Sequence, residues 1–127
     1  MKKSILSVLT TALLVTLNIQ ADQGKPEMDA KSPVILINPF TVPEGKVEEA
    51  IVLWEAGRDF LAQQPGYRST KLHQSLFADA PHQLINVAEW DSIEAFRAAI
   101  TKMRGLPDFP LVEGVGSAPQ LYRVIRN

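Results

Sequence analysis

The sequence predicts an α+β domain of four strands and two helices in the order βαββαβ. It should form one antiparallel sheet with both helices on one face. Three observations predict this. The spacing of apolar residues switches between a period of two and one of 3.6 along the chain. Gly and Pro stand where the period changes, as in "TVPEGK" and "QPG". The chain has 127 residues, enough for a single domain.

The first 33 residues fall outside that pattern. Lys2 and Lys3 precede an uncharged apolar run from Ser4 to Ile19, and the small residue Ala21 ends the segment. A basic start, an apolar middle and a small-residue end are expected of a secretory leader cleaved after Ala21. The run is short for a membrane span, which needs about 20 apolar residues; the alternative is an uncleaved anchor. Residues 22–33 are polar, hold Pro26 and Pro33 and show no periodicity, so they are expected to form a flexible linker. The mature form should be exported, most simply to a periplasm, with no stable membrane insertion after cleavage.

The folded domain is expected over residues 34–127. "VILINPF" (34–40) is apolar and rich in β-branched residues and predicts the first strand. From Lys46 to Gln64 the period becomes helical, with Val47, Ala50, Ile51, Trp54 and Leu61 on one face. "QPG" stops that helix. "YRSTKLHQSLF" (67–77) and "HQLINVAEW" (82–90) predict a hairpin across the turn "ADAP". Asp91 is the expected N-cap of a second helix, with Glu94 completing a capping box. That helix should run to about Met103 with Ile93, Phe96, Ile100 and Met103 inward. Residues 104–118 are rich in Gly and Pro, as expected of a lid or binding loop. "PQLYRVIR" (119–126) supplies the last strand. Two split β-α-β units of this kind make a ferredoxin-like domain.

Both helices on one face leave the other bare. Ile35, Ile37, Ile85, Val87, Tyr122 and Val124 are expected there, and an apolar patch of this kind predicts a two-fold homodimer packed sheet to sheet. The chain has no cysteine, which excludes disulfides and thiolate chemistry. Its net charge of −1, without a basic stripe, excludes nucleic-acid binding. Two separated histidines and scattered carboxylates lack metal-ligand spacing, and no metal or other cofactor is expected.

Strand alternation singles out a candidate site. Leu84, Asn86, Ala88 and Trp90 share one face, and Val34, Leu36, Asn38 and Phe40 share the corresponding face of the first strand. Asn38, Asn86 and Trp90 can therefore converge under the helices. In a mostly apolar cavity a few fixed polar groups orient a ligand. The plainer alternative is packing, with each amide and the indole hydrogen-bonded internally. Phe40, Trp54, Leu84 and Phe96 would supply apolar walls, and Arg104 at the start of the long loop would meet an anionic ligand. His73 lies on a mixed face and His82 at a turn, positions that suit solvated or interface residues better than a catalytic base. Tyr67 and Arg68 are placed to rim a pocket mouth. Glu89 falls on the opposite face.

"INPFTVPEGK", "QPGYRSTKLHQSL" and "NVAEWDSIEAFRAAI", in that order, resemble the antibiotic biosynthesis monooxygenase family, whose members are dimeric α+β barrels of ferredoxin-like fold. The "PG" after the first helix and the "EW-S-EAF" stretch are the clearest marks. In members that oxidise aromatic substrates, an Asn and a Trp on this strand are implicated, and Asn86 and Trp90 have a similar spacing. In haem-degrading relatives, an Asn on the first strand and a Trp at this position line the haem pocket, which Asn38 and Trp90 resemble. Those relatives ligate iron through a His of the second helix, and residues 92–103 contain none. The resemblance therefore implies a cofactor-independent monooxygenase acting on a small phenol, anthrone or quinol, with Asn86, Trp90 and Asn38 as catalytic groups. A periplasmic protein that binds a small apolar molecule without turnover is the alternative, and a haem-binding relative a more distant one.

Overall fold

A computed structural model describes residues 29–127. The expected leader and most of the expected linker lie outside them. The folded unit comprises Lys31–Asn127. Its elements are β1 (Val34–Thr41), α1 (Val47–Leu61), β2 (Tyr67–Gln74), β3 (Leu84–Trp90), α2 (Ile93–Arg104), β4 (Gly116–Ser117) and β5 (Gln120–Tyr122). The sheet is antiparallel throughout, in the order β2-β3-β1, with β4 and β5 both on the far edge of β1. This is the ferredoxin-like arrangement that the order of elements implies.

Three local features differ from the sequence expectation. The last strand, expected over 119–126, is only Gln120–Tyr122, and the two-residue β4 pairs with β1 from within the expected loop. Pro119 has no N–H to give the ladder, so pairing lapses there; the Ala118 N–H bridges the gap by donating to the Pro39 carbonyl at 3.1 Å. The hairpin strands are shorter than their apolar patterns, because Gln83 folds its side chain under the turn. Its Nε2 donates to the carbonyls of Phe77, Ala78 and Ala80 at 3.0–3.3 Å, which satisfies backbone that would otherwise pair across the hairpin. Leu76 and Phe77 are left in solvent.

The third difference is at the start of α2. Ser92, not Asp91, is the N-cap: its Oγ accepts from the Ala95 N–H at 3.0 Å. Glu94 consequently sits one position too early for a capping box. The Asp91 carboxylate instead pairs with Arg68 at 2.5 Å.

Register fixes the two faces of the sheet. Leu84, Asn86, Ala88 and Trp90 are all buried, as are Val34, Leu36 and Phe40 opposite them. The helix side holds one core cluster of Phe40, Ala50 and Leu84, with Val42, Val47, Ile51, Trp54, Leu72 and Val115 packed against it. The other side carries Ile35, Ile37, Ile85 and Val87, with Tyr122 beside Ile35. Tyr122 is 51% exposed there, and Val124, past the end of β5, is 61% exposed. An apolar sheet face is thus left open to solvent in the single chain, as the one-sided placement of the helices predicts.

Candidate functional site

The helix-facing side of β3 has two ends of different character. At one end Trp90 is 1% exposed. The Tyr67 ring meets its indole edge to face at 5.6 Å between centroids, and the Phe96 ring of α2 does so at 5.7 Å. Such pairs add about 0.5–1.5 kcal/mol each beyond the area they bury. The chain enters this cluster through Gly66, whose φ of +88° lies in the region that L side chains avoid. A Cβ on Gly66 would also lie 2.4 Å from the Ala95 methyl. The Asp91 N–H donates to the Gly66 carbonyl at 2.8 Å. The α1–β2 turn and the first turn of α2 are therefore locked together by backbone contact.

The other end is polar at its centre. Asn38 and Asn86 are register partners on β1 and β3. Asn86 is 7% exposed, the one buried polar residue of the core among the described residues. Thr70 of β2 donates its hydroxyl to Asn86 Oδ1 at 2.5 Å. Asn38 Oδ1 is buried without a hydrogen-bond partner among the described residues. A buried acceptor left in that state costs about 1–3 kcal/mol of desolvation. Two residues along, Phe40 pairs with Leu84, and Trp54 of α1 packs on that pair, so apolar side chains surround the amides.

The residues singled out by sequence divide between these ends. Asn38, Asn86, Phe40, Leu84 and Trp54 gather at the polar end. Trp90 and Phe96 gather at the aromatic end, roughly 13 Å along β3 from Asn86 by strand rise alone. Arg104 is the last, exposed residue of α2 and adjoins neither. The exposed His73 of β2 faces the open side of the sheet beside Ile85. The His82 ring lies near the Phe40 carbonyl, with Nδ1 at 3.3 Å.

The loop after α2 bears on the polar end. Val115 packs against the Phe40–Leu84 cluster, and the Phe109 ring sits over Gly57 of α1, 3.6 Å from where a Cβ would stand. Thr70 is the residue that sequence reasoning missed. It lies on a strand of mixed polarity, and nothing in that alternation distinguishes it from Ser69. A bulge in β2 between Tyr67 and Ser69 puts Thr70 opposite Ala88 and turns its side chain to the helix side.

Comparison with known proteins gives consistent results. A protein from Shewanella loihica PV-4, provisionally assigned as a monooxygenase, is 56% identical in sequence; the match covers 76% of this chain and 97% of that one, with a TM-score of 0.70. SnoaB, a cofactor-independent oxygenase from Streptomyces nogalater, is 25% identical over 76% of this chain and 96% of its own, with a TM-score of 0.57. MhuD, a heme degrader from Mycobacterium tuberculosis, shares the fold at 23% identity, over 74% of this chain and 97% of its own, with a TM-score of 0.55. No curated protein matches by sequence. The family model for antibiotic biosynthesis monooxygenases matches residues 33–100, which take in β1 through the first two turns of α2 and both ends of the site. Sequence, topology and relatives agree: the chain belongs to the antibiotic biosynthesis monooxygenase family.

Proposed function

We propose that this protein is a cofactor-independent monooxygenase for a small electron-rich aromatic of the phenol, anthrone or quinol type. One observation carries the reading: two amides, Asn38 and Asn86, stand in register on the helix-facing side, one with its oxygen buried and unmet. SnoaB, with its cofactor-independent chemistry, supports the reaction class. The haem alternative lacks support from this chain, since α2 has no histidine to ligate iron.

The chemistry needs no external reductant. The substrate loses a proton and reduces O2 itself, forming a C–O bond to a peroxide. The O–O bond then breaks. One oxygen stays as the quinone carbonyl, and the other leaves as water with the two hydrogens lost by the substrate. The protein has to orient the ring, exclude water and stabilise developing oxyanion charge. Amide N–H groups fixed in an apolar setting are suited to that stabilisation. Asn86, held by Thr70, is the principal donor, and Asn38 lies across from it. Phe40, Leu84 and Trp54 wall the ring. Trp90 and Phe96 hold the strand and helix behind them.

The protein acts as an exported, periplasmic homodimer joined through the open sheet face. The apolar residues on that face support the dimer. The basic start and apolar run of residues 1–21 support export.

The test is oxygen uptake by the purified protein with anthrone and hydroquinones, in the presence of metal chelator. Uptake that survives chelation and falls in Asn86→Ala is expected. No uptake across the panel, with a ligand-induced rise in Tm, would replace catalysis by binding without turnover.

A further inference from the structure

We propose that Thr70 is a positioning residue that sets which end of the Asn86 amide meets the substrate. The proposal rests on the reading that Asn86 lies in the oxygenase site. A carboxamide has an acceptor at one end and two donors at the other, in nearly the same shape. In a polar pair such as Asn38 and Asn86, a flip exchanges donor for acceptor at no steric cost. Oxyanion stabilisation requires the donor end. Some neighbour must therefore choose.

Thr70 chooses by geometry. Its hydroxyl donates to Asn86 Oδ1 at 2.5 Å from the strand on the far side of β3 from Asn38. The amide is planar, so anchoring Oδ1 on the β2 side sends Nδ2 away from β2. That is the side of β1, where Asn38 is the register partner. In the flipped orientation Nδ2 would donate to the Thr70 oxygen, and the Thr70 hydroxyl proton would have to find another acceptor in a partly buried setting, where an unmet polar group is costly.

The result is a polar pair with a defined sense. Asn86 offers N–H donors, and Asn38 offers a buried acceptor oxygen. A phenolic or enolic hydroxyl satisfies both, accepting from Asn86 and donating to Asn38. After its proton leaves, the oxyanion keeps the Asn86 donor. The site thus favours the phenol or enol form of a substrate, such as the enol tautomer of an anthrone, over the keto form.

The test compares Thr70→Val, which keeps the shape and removes the hydroxyl, with Thr70→Ser, which keeps the hydroxyl. The first readout is independent of turnover: the Asn86 side-chain NH2 resonances in a 1H–15N spectrum, assigned by their loss in Asn86→Ala. They should move in Thr70→Val and return in Thr70→Ser, while backbone dispersion stays native. The second is oxygen uptake with anthrone. Thr70→Val should lower kcat about tenfold with KM little changed, a barrier rise that matches loss of one oriented donor. It should have no further effect in an Asn86→Ala background. Unmoved Asn86 resonances in Thr70→Val overturn the proposal whatever the uptake. Moved resonances with an unchanged kcat, in a protein that Asn86→Ala disables, overturn it as well. Moved resonances in a protein that consumes no oxygen leave Thr70's hold on the amide standing and defeat the oxygenase reading instead.

Discussion

The two ends of the helix-facing sheet surface differ in how completely they are satisfied. Around Trp90 every observed contact closes the structure: ring against ring, the Gly66 backbone against Ala95, a carbonyl answered by an N–H. Beside Asn86 the Phe40–Leu84 cluster is packed too, but the buried Asn38 oxygen has no partner among the described residues. Evolution tolerates an unmet polar group where a ligand meets it, and it tolerates a strained glycine where packing demands one. The first end is therefore closed by its own packing and the second leaves a polar group open, with their central side chains four positions apart on one strand.

The contrast is broken most directly by removing each centre in turn. Trp90→Ala deletes a fully buried indole with two ring partners and should cost about 3–5 kcal/mol of stability. Urea denaturation measures this, and uptake per folded molecule should stay within a few-fold of wild type, in so far as the fold survives. Asn86→Ala should do the reverse. Its stability cost, from the Thr70 hydroxyl left behind, is about 1–2 kcal/mol, while kcat should fall about 100-fold. Trp90→Phe sharpens the comparison because it keeps most of the ring. A fall in kcat like that of Asn86→Ala, with Tm in place, would move the indole into the chemistry and dissolve the division.

Gly66→Ala is next in size. It asks an L residue to hold φ +88° and places a methyl 2.4 Å from Ala95 Cβ. The expected loss is about 1–3 kcal/mol, with uptake per folded molecule unchanged. Ala95→Gly should recover part of it, since that substitution removes the opposing methyl. If Gly66→Ala lowered kcat without lowering stability, the aromatic end would be functionally coupled to the amides.

This contact also explains what was legible in the sequence. "QPG" and "EAF", the clearest family marks, lie 29 residues apart between Gly66 and Ala95, and the fold brings them into van der Waals contact. They mark the packing of a turn on a helix, so they report fold and say little of reaction. The alternation of β3 likewise gave the buried face correctly, because each of its side chains follows from a period of two. What alternation could not give was Thr70. A single bulge in β2 shifts its phase relative to β3, and a bulge leaves no signature in a strand without glycine. Nor could it separate Asn86 from Trp90, since shared facing says nothing about distance along the strand. The short β4 was not legible either: Gly116 and Ser117 belong to the Gly/Pro-rich stretch before Pro119 and carry no strand signal of their own.

The smallest effects should come from Asp91 and Ser92, adjacent residues whose roles the sequence pattern inverts. Asp91 is as good an N-cap as Ser92 by residue preference and precedes Glu94 at capping-box spacing, yet its carboxylate is spent on Arg68. Ser92 has the extended backbone of a cap, with φ −164° and ψ 163°, and its Oγ takes the Ala95 N–H. Ser92→Ala should therefore cost about 1 kcal/mol, the usual loss of a cap. Asp91→Asn removes an ion pair whose side chains are 48% and 56% exposed, and exposed pairs contribute roughly 0.2–1 kcal/mol. Salt separates the two. The Asp91 contribution should shrink between 50 mM and 500 mM NaCl, because an exposed pair is screened, whereas the Ser92 cap, a neutral hydrogen bond within one helical turn, should hold its value. A salt-insensitive loss in Asp91→Asn larger than that of Ser92→Ala would mean that the ion pair with Arg68 is not what Asp91 contributes, and would return the cap of α2 to Asp91.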